Sequence, residues 1–129
     1  MKGHPMVRPT DAELAILRVL WAQGPSTVRQ VQEALNGQRP TGYTTVLKFL
    51  QIMFDKGLVA RDESQRTHVY RARFSEDRMQ RRLVRDLVER AFGGSAEALV
   101  MHALSVKKTS PDELAQIRRM LDEMERRQS

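Results

Sequence analysis

Apolar residues recur at helical spacing through the first 56 positions of the chain, and the pattern then switches to strand-like alternation. Leu14, Leu17, Leu20 and Trp21 mark the first helical face. Ahead of them, Thr10-Asp11-Ala12-Glu13 reads as a capping box, with Thr10 as N-cap and Glu13 at the third helical position. Gly24-Pro25 ends that helix. A second helix is expected to start near Ser26 or Thr27, to bury Val28, Val31 and Leu35, and to end at Asn36-Gly37. A third is expected from about Thr41 to Lys56, with Gly57 suited to a left-handed cap. Two strand-like runs follow, Leu58-Val59-Ala60-Arg61 and His68 to Phe74, joined by the polar tip Glu63-Ser64-Gln65-Arg66-Thr67-His68. Three short helices and a hairpin define one domain ending near Phe74.

The remaining pattern is helical. Ser75 can cap a helix whose stripe is Met79, Leu83, Leu87 and Ala91, with Val84 and Val88 beside it. Gly93-Gly94 breaks it, and Ser95 can cap a short helix through Leu99, Val100, Ala103 and Leu104. Residues 105–109 read as a linker. Ser110-Pro111-Asp112-Glu113 then starts a last helix with the apolar face Leu114, Ile117, Leu121 and Met124. The fold class is mainly α with a small β-hairpin: a winged helix-turn-helix over residues 1–74 and a helical dimerisation region over 75–129. About 55 residues are few for an independent core. A second copy of the chain is the simplest cover for these stripes, because self-complementary faces close under two-fold symmetry. Leu83, Leu87, Leu99, Val100, Leu114, Ile117 and Leu121 are the expected dimer residues. Packing back on the N-terminal domain is the alternative.

Charge adds to this picture. The net charge is +6, and residues 1–74 carry 11 Lys/Arg against 6 Asp/Glu, whereas residues 75–129 carry 11 against 10. The excess lies in the half that would meet a polyanion.

At about 100° per residue, Val46, Phe49, Leu50 and Met53 gather on the core side of the third helix. Thr44, Lys48 and Gln51 face away, with Thr45 and Leu47 on the flanks and Tyr43 in the first turn. Gln suits an adenine edge, Lys a guanine or phosphate, and Thr or Leu a thymine methyl. In this motif the first turn is the end that enters the major groove. Asp55 also points outward, near the other end. At the hairpin tip Arg66 is placed to reach a phosphate or the minor groove, with Arg61, Arg71 and Arg73 in support. Tyr70 and Phe74 are expected beneath the sheet. The same polar residues also fit a plain solvated face, and a winged helix used as a protein-interaction or RNA-binding module is the competing function.

Other classes find little support. There is no cysteine, the histidines His4, His68 and His102 are scattered, and no phosphate loop or nucleophile motif occurs. An enzyme, a metal site and a cofactor are therefore not expected. Met79, Met101, Met120 and Met124 read as flexible core filler. No apolar run approaches a membrane span and Met1-Lys2-Gly3-His4-Pro5 lacks a signal-peptide core, so a cytoplasmic protein without membrane insertion is expected.

The order and spacing of several segments resemble the penicillinase-repressor family of bacterial winged-helix regulators, the BlaI/MecI group with its copper-responsive CopY branch. These are Leu14 to Trp21, Tyr43-Thr44-Thr45-Val46, Lys56-Gly57-Leu58-Val59, Val69-Tyr70-Arg71, Phe92-Gly93-Gly94 and the Leu99-Val100 helix. The resemblance implies a homodimer with intertwined C-terminal helices that blocks transcription from a palindromic, double-stranded operator. In antibiotic-responsive members it also implies cleavage after the Gly-Gly break, signalled by a membrane sensor protease. The matching position is His102-Ala103, where compared members have Asn-Phe. Leu47 and Lys48 stand where those members tend to have Arg and Thr, which implies a different or shifted operator. The copper branch relies on C-terminal cysteines, and this chain has none.

Overall fold

The computed structural model describes residues 8–37 and 40–128. The element order is α1 (Asp11–Gln23), β1 (Ser26–Thr27), α2 (Val28–Asn36), α3 (Tyr43–Lys56), β2 (Val59–Asp62), β3 (Val69–Ala72), α4 (Glu76–Ala91), α5 (Ala96–Val106) and α6 (Pro111–Gln128). The chain divides into two compact units, 1–84 and 85–129, and the division falls inside α4.

Local chemistry explains where the helices start. The Glu13 N–H donates to Thr10 Oγ1 at 3.2 Å, and the Thr10 N–H donates to Glu13 Oε1 at 2.9 Å, completing the expected box. Thr27 and Gln30 repeat the arrangement at α2, with bonds of 3.2 and 2.9 Å. Ser110 and Glu113 do the same at α6, ahead of Pro111 at the first helical position. Helix α3 is different. Its N-cap is Gly42, which offers no side-chain bond, and it begins at Tyr43 rather than Thr41. The Thr41 N–H is held instead by Asn36 Oδ1 at 2.9 Å, so that residue belongs to the turn. At the other end Gly57 adopts φ 82° and ψ 17°, a left-handed conformation, and its N–H reaches the carbonyls of Met53 and Phe54.

The expected hairpin is part of a three-stranded antiparallel sheet in the order β1-β3-β2. In it Ser26 faces Tyr70 and Thr27 faces Val69, while β2 runs beside β3 from Val59↔Ala72 to Asp62↔Val69. A two-residue strand leaves no alternation to read, which is why the sequence showed only a helix start there.

The core of the first unit is formed by Ile16, Leu17 and Leu20 of α1, Val28 and Val31 of α2, and Val46, Leu50 and Met53 of α3, closed by Leu58, Val59, Tyr70 and Met79. Phe49 and Phe74 are half-buried against it. Met79 is buried in the same core, and Leu83 packs partly buried against it. Through Met79, expected as core filler, and Leu83, expected as a dimer residue, the opening turns of α4 complete the core of the first unit.

In the second unit, no described residue of α5 or α6 is buried. Helix α5 continues to Val106, past the expected linker start at Ser105, whose Oγ bonds back to the Met101 carbonyl at 2.8 Å. Leu87, Val100, Leu104, Leu121 and Met124 are exposed.

Candidate nucleic-acid interface

Burial of Val46, Leu50 and Met53 turns the opposite side of α3 outward. Tyr43, Thr44, Thr45, Lys48 and Gln51 are all exposed, while Leu47 is half-buried and packs partly on the core. Lys48 has no ion-pair partner among the described residues, so its charge is available to an outside anion. Asp55 is exposed near the helix's C-terminal end and bears the opposite charge.

One bond system fixes α3 against α1. The Lys56 ammonium donates to both Glu13 carboxylate oxygens, at 3.0 and 2.8 Å. Glu13 is 2% exposed and Lys56 32%. Burial raises the carboxyl's pKa, but the bond from Lys56, the Thr10 bonds and the ammonium's charge together outweigh it, and the net shift is downward. The capping residue read from sequence is thus also a buried counter-charge. This second role was missed because its partner lies far along the chain.

The wing spans 63–68, beyond the Asp62↔Val69 pair. The Ser64 N–H donates to Asp62 Oδ1 at 2.9 Å and holds that carboxyl below its ordinary value. Arg66 is exposed at the tip, without an ion pair among the described residues, and Arg71 and Arg73 are exposed as well. Arg61 behaves differently from the support expected of it. Its guanidinium lies 3.9 Å over the Phe54 ring and pairs with Glu63 Oε2 at 2.6 Å, so its charge is already engaged. At the base of the hairpin, Trp21 Nε1–H donates to the Phe74 carbonyl at 2.9 Å and ties β3's exit to α1.

Sequence reasoning overlooked Arg29. Its guanidinium carbon lies 5.4 Å from the centre of the Tyr43 ring, joining the first turns of α2 and α3. No local pattern signals such a pair; it follows from the packing of the two helices.

The expected dimer residues occupy varied positions. Leu87, Val100 and Leu121 are exposed, Leu99, Leu114 and Ile117 are half-buried, and Leu83 lies on the first unit's core. His102 and Ala103 sit inside α5, with the His102 ring 5.5 Å from Phe92 and its Nδ1 2.9 Å from the Ala98 carbonyl. His4 falls outside the described residues. Among those described, no group of His, Cys, Asp or Glu is placed to hold a metal, and no helix is long and apolar enough to cross a membrane.

A three-helix core, a three-stranded sheet whose tip carries Arg66 and an outward polar stripe on the third helix define a winged-helix DNA-binding transcriptional regulator. The chain belongs to the penicillinase repressor family, whose model matches residues 9–123. It is 36% identical over 122 residues to the transcriptional regulator BlaI of Mycobacterium tuberculosis, covering 93% of this chain and 87% of that protein. It is 17% identical over 113 residues to the methicillin resistance regulatory protein MecI of Staphylococcus epidermidis, covering 88% of this chain and 92% of that protein. Among solved structures, a MarR family protein from Bacillus stearothermophilus aligns with a TM-score of 0.51 at 17% identity, over 95% of this chain and 76% of that one. That last likeness is one of fold.

Proposed function

We propose that the chain is a homodimeric, sequence-specific repressor that grips a palindromic DNA operator with two copies of α3 and its wing. The observation that carries this reading is the exposed Thr44, Lys48 and Gln51 stripe, opposite the buried Val46, Leu50 and Met53. Major-groove edges are read by such side chains, whereas Arg66 on the wing suits a phosphate contact that adds affinity without sequence information. Pairing of two chains is supported by the exposed apolar residues of the second unit, Leu87, Val100, Leu121 and Met124, because self-complementary faces of this kind are covered under two-fold symmetry. The dimer places its half-sites about one DNA turn apart or a multiple of it.

Relief of repression by cleavage at His102-Ala103, through a membrane sensor protease system, is the finer part of the reading. That bond lies within α5, and the Lys107 N–H still reaches the Ala103 carbonyl at 3.3 Å. Cleavage therefore requires α5 to unwind locally. The protein is proposed to work in the cytoplasm.

The test is a gel shift of the full chain with promoter duplexes from its own genomic neighbourhood, alongside sedimentation. A dimer that selects one palindrome over unrelated duplex supports the reading. A monomer that ignores every duplex at modest ionic strength ends it.

A further inference from the structure

We infer that Arg29, laid over the Tyr43 ring, is a second backbone-phosphate contact of the bound duplex, and that Tyr43 serves chiefly as the platform orienting it. Arg29 is exposed on the first turn of α2, and no carboxylate pairs with it among the described residues. Glu33, one turn on along the same helix, is exposed and forms no ion pair with it. The contrast with Arg61 decides the point. Both guanidinium groups lie over an aromatic ring, but Arg61 is neutralised by Glu63 and Arg29 keeps its full charge.

Position supports the same role. At 100° per residue, Tyr43 and Leu47 border the Thr44, Lys48 and Gln51 stripe on one side. A helix lying in the major groove has a phosphate strand along each border. Arg29 stands above Tyr43 on that border, at the N-terminal end of α3, and Asp55 marks the opposite end. The ring face restrains a flexible side chain without consuming its charge. Arg29 holds this role only if the chain binds duplex DNA as proposed above.

The experiment measures affinity of the full chain for an operator and for an unrelated duplex across a salt series. Arg29→Ala is expected to weaken both complexes alike and to make the slope of log affinity against log salt shallower by about 0.9 per chain engaged. Arg29→Lys keeps the charge and restores the slope. Tyr43→Leu, which removes the ring and keeps Arg29, lowers affinity with the base preference unchanged. An unaltered salt slope in Arg29→Ala overturns the phosphate contact, as does a loss confined to the operator. A changed base preference in Tyr43→Leu assigns that ring to base reading and overturns its part as platform. If the unmodified chain binds neither duplex, this inference falls together with the proposed function; if it binds and Arg29→Ala is silent, the inference alone falls.

Discussion

Glu13 and Lys56 join the first turn of α1 to the last turn of α3 through two hydrogen bonds, 3.0 and 2.8 Å long, with the carboxylate buried and the ammonium partly solvated. The C-terminal end of α3 is thereby anchored to the scaffold, while its opening residues remain outward. Lys56→Ala leaves Glu13 ionised and buried without its partner, and is expected to cost roughly 1–3 kcal/mol. That range lies between exposed and fully buried pairs because Lys56 retains contact with water. The sign of the pH dependence follows from the lowered Glu13 pKa. The pair's contribution is complete above the ordinary glutamate value, about 4.3, and is lost as pH falls through the lower folded-state value. Denaturant unfolding of both proteins at neutral and acidic pH measures this. A gap that fails to narrow in acid removes the pair from the stability account.

Lys48→Ala and Gln51→Ala are each expected to weaken operator binding by roughly 1–3 kcal/mol if they touch base edges. Fluorescence anisotropy against the operator and single-base variants reads the effect. Full affinity in both variants would exclude these side chains from sequence recognition.

Truncation separates the two readings of α4. A chain ending at Val84 keeps Met79, which is 1% exposed in the core, whereas a chain ending at Phe74 loses it. The shorter protein is expected to be less stable by about 2–5 kcal/mol, the range for emptying such a buried position. Equal midpoints in urea would show that α4 adds nothing to the first unit.

Leu121 is 54% exposed on α6. If the second unit pairs two chains there, Leu121→Glu gives a folded monomer by sedimentation equilibrium. Operator affinity then drops as well, because the second half-site loses its effective-concentration advantage. A variant that still sediments as a dimer moves the interface elsewhere.

Much of this architecture was legible because the signals are local. The Thr10 and Ser110 boxes, the Gly57 cap and the Val46, Leu50 and Met53 face each depend on residues within one or two helical turns. What escaped depends on distant partners. Strand β1 exists because Ser26 and Thr27 meet β3, and Glu13's buried charge is tolerable because Lys56 arrives from another helix. Ile16, 1% exposed, was passed over because its neighbour Leu17 satisfies the same helical spacing. The outward α3 residues could be named from periodicity, but the Arg29 and Tyr43 pair could not, since it is made by two helices crossing.

Thr27 occupies two structures at once. It pairs with Val69 in the sheet and caps α2 through Gln30, two residues before Arg29. The hairpin and the start of α2 consequently share one residue as their common anchor. The strand that leaves the wing therefore meets the cap of α2 at Thr27, two positions before Arg29.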